Sequence, residues 1–388
     1  MPILPQDIIS LILEQHLFND IFSLRACSLV SRSFLAPSQK RLFHTIHLDD
    51  DLKAQEHCRK LHQVFLDNPY LVTYVQEMYV LDYDTDTVGP TPWKPYTPSR
   101  VIHWASREET LHAILKMLLN LRLFSIRFIQ NCSSPTEWKS ISVELKMALG
   151  SVFTLPTLKV CKLDGIDDLP VEYFSASEYL KELSLTAVSV ARDQEALATC
   201  SKTAQLECLE LAQISDYSLF ETMRASMDMS QLREVFVCSS DPQVVWEAIK
   251  ESTGTLEILM WNDDGGDSGH TLLWLVQSLR EMVSGVGDGI SNLEEISIHL
   301  DLGAIQSGIE VSLWNELDRL LTHSGKFSKL HRVYLCVSSP IGRRVSIEEL
   351  FSRNYVPGLS RKGLLRMGYN TVWLEYPIEW REAAVGHD

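Results

Sequence analysis

The sequence has no apolar run near the roughly 20 residues that span a bilayer. Its first residues carry no basic stretch ahead of an apolar one, and Asp7 and Glu14 sit inside the first apolar segment. Both absences argue against a membrane span and a secretory leader, and lead to the expectation of an intracellular protein, cytoplasmic or nuclear. The eight cysteines form no CxxC and no dense framework, so reduced, mostly buried thiols are expected. There is no HExxH and no GxSxG elbow. Nothing assembles a nucleophile, a base and an orienting acid, so the chain is expected to be neither an enzyme nor a cofactor carrier.

Positive charge is scarce. The net charge is -16 over 388 residues, and its distribution is uneven. Residues 1–48 hold three acids (Asp7, Glu14, Asp20) and four bases (Arg25, Arg32, Lys40, Arg41), leaving +1, so the remainder carries -17. That acidic remainder disfavours nucleic acid and anionic membranes as partners.

What is present begins with "LPQDIISLILEQHL", residues 4–17. On a helix, Ile8, Ile9, Leu11, Ile12, Leu13 and Leu17 surround far more than one face. Pro5 and Asp7 suit the helix start. A second apolar segment spans residues 21–34, and Pro37 reads as its interruption before a short helix that turns into a strand at Thr45, Ile46, His47 and Leu48. Such short helices bury little among themselves and require a neighbour.

The rest is organised by a repeat, an apolar residue followed at +3 and +5 by two more. It starts at Leu158 ("LKVCKL"), Leu180, Leu206, Leu232, Leu256, Leu293 and Leu330, in steps of 22, 26, 26, 24, 37 and 37 residues. Weaker copies start at Leu121 and Val75. The +3 and +5 residues share one strand face, while intervening residues point away. Helical periodicity marks residues 54–66, 109–121, 242–253, 270–283 and 313–322 between the strands, with a further helical stretch at 347–353. The expected fold class is therefore α/β: an N-terminal three-helix unit over residues 1–48, then an irregular leucine-rich-repeat solenoid over residues 49–388. Its curved parallel sheet lies inside and its helices outside. A closed barrel is the rival, but it leaves the leucine register unexplained. A strand at residues 370–376 and the aromatic end around it suit a C-terminal cap.

Several signals are set aside. "WNDDGGDSGH", residues 261–270, lacks the spacing of a calcium loop. "GVGDG", residues 285–289, lacks that of a dinucleotide loop. Residues 88–100 place Pro92, Pro95 and Pro98 three apart, as a polyproline docking peptide does, though an exposed insertion is the plainer reading.

The head resembles an F-box, the helical motif that ties substrate receptors to the Skp-family adaptor of SCF-type ubiquitin ligases. The resemblance is carried by Leu4, Pro5, Ile8, Ile9, Ile12 and Leu13, then Leu24, Cys27, Leu29, Val30, Ser31, Arg32 and Phe34. "CSLVSRSF" followed by "RLFHTIHL" looks particularly like fungal F-boxes. Asp20–Ile21 departs from the usual acidic-then-leucine turn, which leaves the register of the second helix open. The resemblance implies a receptor that makes no bond itself. Through the adaptor and a cullin-RING ligase, it raises the effective concentration of a protein substrate near a ubiquitin-charged enzyme.

On that view Leu4, Pro5, Ile8, Ile12, Leu24, Cys27, Val30 and Phe34 contact the adaptor, whereas Ile9, Leu13, Leu42 and Phe43 pack inward. Substrate contact is expected on the strand face left open by the repeat. Its candidates are Glu182, Glu210, Glu234, Phe236, Ile258, Met260, Glu295 and Tyr334, with Trp261 adding to a central apolar patch. The acidic row suits a basic substrate segment. The alternative is a repeat scaffold whose head is only an N-terminal cap; an enzyme on a barrel is a third reading.

Overall fold

The structure is a computed structural model. It describes residues 5–15, 17, 20–49, 53–83, 104–129, 135–170, 172–191, 204–214, 218–238, 242–262, 268–285, 291–301, 311–323, 325–338 and 355–370. The proline-rich segment 88–100, residues 263–267 and 286–289, the helical stretch 347–353, nearly all of the C-terminal cap and Leu4 lie outside the described residues. The chain forms two compact units, Met1–Leu206 with Gln213–Asp228, and Glu207–Ala212 with Met229–Asp388.

Unit 1 opens with three helices, α1 (Gln6–Gln15), α2 (Ile21–Val30) and α3 (Arg32–Leu42). Asp20 starts α2 by accepting the Ser23 amide at 3.0 Å, as an N-cap does. Ile9, Leu13 and Leu24 form a small core, with Leu17, Cys27, Phe34 and Leu42 packed against it. The break expected at Pro37 falls instead at Ser31, whose extended backbone separates α2 from α3, and Pro37 lies inside α3. A proline there leaves the carbonyl four residues back without its helical donor. That carbonyl belongs to Ser33, and the Gln6 side-chain amide of α1 donates to it at 3.0 Å.

The strands of this unit follow: β1 (Thr45–Leu48), β2 (Glu77–Tyr83), β3 (Leu123–Ile129), β5 (Val160–Asp164) and β7 (Glu182–Thr186), all parallel and paired in that order. Between these strands run α4 (Ala54–Asp67), α5 (Trp104–Arg107), α6 (Glu109–Met117), α7 (Val143–Phe153) and α8 (Glu172–Ser175). α4, α6, α7 and α8 pack in succession, and α9 (Ser218–Ser226) packs on α8. Two short parallel pairs, β4 (Thr136–Glu137) with β6 (Ile166–Asp167) and β8 (Ala204–Gln205) with β10 (Met227–Asp228), complete the unit.

Unit 2 repeats the plan with β9 (Cys208–Ala212), β11 (Glu234–Cys238), β12 (Ile258–Asn262), β13 (Glu295–Asp301), β14 (Arg332–Ser338) and β15 (Leu365–Asn370), again parallel and in order. Its helices α10 (Pro242–Ile249), α11 (Ser268–Gly285), α12 (Val311–His323) and α13 (Pro357–Arg361) also stack in sequence. Each unit is thus a solenoid-like α/β array in which one strand-and-helix step lies on the next.

All nine repeat starts read from the sequence hold. Every +3 and +5 residue, from Met78 and Val80 to Val333 and Leu335, is buried. Within each unit the carbonyl at +1 accepts the +1 and +2 amides of the following repeat; Lys159 and Val160, for example, both donate to Arg122. The residue before the start adds a side-chain tie. Asn120 donates to Thr73, Thr157 to Leu121, Thr255 to Leu232 and Asn292 to Gly254, all carbonyls of the preceding repeat.

The turn after the strand is equally regular. Gly165, Ala187 and Gln213 stand at +7 in three successive repeats, all with φ between 48° and 72°. α7, α8 and α9 escape the sequence reading; α7 buries Leu145, Ala148, Leu149, Val152 and Phe153 on one face, while the exposed Val143 and Met147 outside it blur that stripe in the sequence. β15 begins at Leu365, ahead of the strand expected at residues 370–376.

Candidate protein-interaction surfaces

Packing divides the head's apolar residues. Ile9 and Leu13 turn inward, as expected, and Phe43 meets Phe65 of α4 at 6.2 Å between ring centroids. Ile8, Leu11 and Ile12 on α1, Ile21, Phe22, Leu29 and Val30 on α2, and Leu35 on α3 remain exposed. Phe22 is 82% exposed, Leu29 86% and Val30 71%. Of the expected adaptor contacts, Pro5, Ile8, Ile12 and Val30 lie on the surface. Leu24, at 2% exposure, is part of the head's own core, with Cys27 and Phe34 packed against it. Leu11, Ile21, Phe22, Leu29 and Leu35 are the exposed residues that the sequence reading left off that surface. For Phe22 and Leu29 the signal was the helical spacing of Phe22, Ala26, Leu29 and Val30 on one side of α2.

The open face of the strands in each unit is set by alternation. In unit 2 the pairing aligns Glu210, Phe236, Met260, Ser297, Tyr334 and Arg366 in one row, and Cys208, Glu234, Ile258, Glu295 and Arg332 in the next. Seven of the eight expected substrate residues are therefore neighbours in register, while Glu182 stands on β7 of unit 1. Glu295 is ion-paired to Arg332 at 3.3 Å, which reduces the acidity of that row. Burial, then the neighbouring Cys336, raises the Tyr334 phenol above its ordinary value. Trp261 does not belong to this patch. It points to the other side of β12, is buried, and meets Trp274 edge to face at 5.1 Å.

On the open face of unit 1, His47, Tyr79, Ser125, Lys162 and Ser184 form the equivalent row. His47 and Tyr79 stack with centroids 4.7 Å apart, and Arg127 pairs with Asp164 at 2.7 Å. Among the described residues, no cluster of three or more His, Cys, Asp and Glu is arranged to hold a metal, and no helix is long and apolar enough to cross a membrane.

Fold and surfaces together define an α/β repeat protein of parallel strands with a short helical head. The chain matches no protein-family model and no curated protein.

Proposed function

We propose that the chain is a substrate-receptor subunit of an SCF-type ubiquitin ligase, with the head as an F-box that binds a Skp-family adaptor. The leucine-rich repeats then hold the protein substrate. The observation that carries this reading is the head's division of labour: Ile9, Leu13 and Leu24 hold three helices together, while Ile8, Leu11, Ile12, Phe22, Leu29 and Val30 stay in water. Fully burying one such side chain is worth about 1.5–3 kcal/mol, so a partner that covers several gains a large driving force. An exposed apolar surface of this kind marks an interaction site.

The substrate site on this reading is the in-register patch of Phe236, Ile258, Met260 and Tyr334, rimmed by Glu210, Glu234 and Glu295. Aromatic and methionine side chains within a charged rim are the usual anchors of protein interfaces. The chain itself breaks and forms no bond; its contribution is effective concentration.

A second reading, the head as an N-terminal cap of the repeats, is favoured by the Phe43–Phe65 contact and by the Tyr70 hydroxyl donating to Gln39 at 3.2 Å. One experiment separates the two. The purified chain is mixed with a Skp-family adaptor beside a Phe22→Ser, Leu29→Ser variant and a Leu4→Ala, Pro5→Ala, Ile12→Ala variant. The ligase reading expects a stable complex that both variants lose while keeping the parent's melting temperature. Failure of the unmodified chain to bind rejects that reading in favour of the cap.

A further inference from the structure

We propose that the N-terminal edge of the unit 1 sheet docks a short acidic peptide segment of a partner protein, through Arg122, Lys159 and Lys181. These residues occupy the +1 position of three successive repeats and are 37 and 22 residues apart in sequence. The backbone makes them neighbours: the Lys159 amide donates to the Arg122 carbonyl at 2.8 Å, and the Lys181 amide to the Lys159 carbonyl at 2.8 Å. Adjacent strands lie about 4.8 Å apart, so three cations follow one another at that spacing. Towards β1 the ladder continues through Gln76 to His44.

The same position in unit 2 is built differently. There Glu207, Arg233, Glu257, Glu294 and His331 succeed one another, and Arg233 grips Glu257 with two bonds of 2.9 and 2.7 Å. That row neutralises itself. In unit 1, Arg122 and Lys159 are exposed and form no ion pair among the described residues. Like charges on neighbouring strands repel, so the fold gains nothing from setting the Arg122 charge beside that of Lys159. Lys159 is steadied without losing its charge, its ammonium 5.1 Å from the Tyr179 ring centroid and 3.4 Å from the Tyr179 carbonyl oxygen.

Glu77 and Glu182 follow Gln76 and Lys181 by one residue, on β2 and β7, where alternation turns them to the other side of the strand. Glu77 accepts a bond from the Thr45 hydroxyl at 3.1 Å.

The partner is specified by spacing and by extent. An extended peptide rises about 3.3 Å per residue, so acids three positions apart are about 10 Å apart, close to two strand spacings and thus to the Arg122–Lys181 span. The row ends after three cations within a chain of net charge -16. A long polyanion running past it meets like charge, whereas a short acidic segment does not. This inference goes beyond the ligase reading and does not depend on the head, so it is tested without an adaptor.

The test is fluorescence anisotropy of a fluorescein-labelled oligoglutamate with the full-length chain at low salt. A neutral glycine-serine peptide and an oligouridylate run in parallel. Saturable binding of oligoglutamate alone is expected, and it should weaken steeply as salt shortens the Debye length from about 10 Å at 0.1 M to 3 Å at 1 M. Arg122→Glu with Lys159→Glu should weaken binding by at least about tenfold, and the gentler Arg122→Gln with Lys159→Gln by about threefold. Arg319→Glu with Arg361→Glu in unit 2 should leave it unchanged. Circular dichroism checks that each variant is folded, and the glutamine pair carries the test if the charge reversal unfolds the chain. The proposal is overturned by absent saturable binding, equal binding of the neutral peptide, tighter binding of oligouridylate, or row variants that bind as the parent does.

Discussion

Gly165 and Ala187 occupy the same +7 turn of adjacent repeats, both left-handed, at φ 72° and 48°. Exchanging glycine and alanine at these two sites should move stability in opposite directions. In Gly165→Ala the new Cβ would lie 2.2 Å from the Phe128 carbonyl oxygen, a backbone atom that no rotamer change can move aside. The left-handed conformation costs alanine about 1–2 kcal/mol, and the backbone shift that relieves the overlap about 1–3 kcal/mol more. The expected destabilisation is about 2–5 kcal/mol.

Ala187→Gly removes a strain of about 1–2 kcal/mol, while the added freedom of the unfolded chain offsets about 0.4–1 kcal/mol. The result should be between neutral and about 1.5 kcal/mol more stable. Native-state hydrogen exchange of the β5 and β7 amides reads the effect locally, and urea unfolding followed by tryptophan fluorescence reads it globally. A Gly165→Ala protein that exchanges as slowly as the parent, or an Ala187→Gly protein weakened by more than about 1 kcal/mol, would refute the equivalence of the two turns.

Three other perturbations follow from buried polar and thiol groups. Asp318, buried, accepts the amides of Gly358 at 2.8 Å and Leu359 at 2.7 Å, and a Cβ on Gly358 would lie 2.6 Å from its Oδ2. Gly358→Ala should therefore cost about 3 kcal/mol or more in thermal or urea unfolding, because two charge-assisted bonds break over a buried carboxylate. For Glu108, burial pushes the carboxyl up, but hydrogen bonds from Arg59 and Thr110 outweigh it and hold the carboxyl below its ordinary value. Its contribution is thus complete above the unfolded value of about 4.3 and fades as pH falls through the folded one. Glu108→Gln should flatten the stability profile in that acid window while costing about 1 kcal/mol at pH 7; an unchanged acid slope counts against the pairing. Burial pushes the Cys58 thiol up to about 11. At pH 8 it should alkylate at least about a hundredfold more slowly than an ordinary exposed cysteine, and mass spectrometry showing Cys58 modified as fast as part-exposed Cys27 would contradict that burial.

Much of the repeat was legible because it is a local pattern. In "LKELSL" the two-residue strand period alone decides that Leu183 and Leu185 turn inward and that Glu182 and Ser184 do not, and the burial of β7 follows it. The open-face rows of unit 2 could be listed before the strands were paired, since each residue keeps its place relative to its own repeat start. Trp261 failed because it was judged by its neighbours Ile258 and Met260 rather than by parity, which puts it on the buried side of β12 with Leu259.

In the head, the excess of apolar residues was visible in the sequence, but periodicity cannot choose among apolar residues that encircle a helix. Contacts between helices bury Ile9 and Leu13 and leave Ile8, Leu11 and Ile12 outside. Pro37 looked like a helix end because a proline removes a bond that its own segment cannot restore; Gln6, 27 residues before Ser33, supplies it. The sequence by itself determined which residues of each repeat face the core, because strand alternation is a property of a few consecutive residues. Only the tertiary structure decided what the remaining residues have beside them. Arg122, Lys159 and Lys181 are isolated cations along the chain, and they become one row because parallel pairing brings the same position of successive repeats within a strand's width.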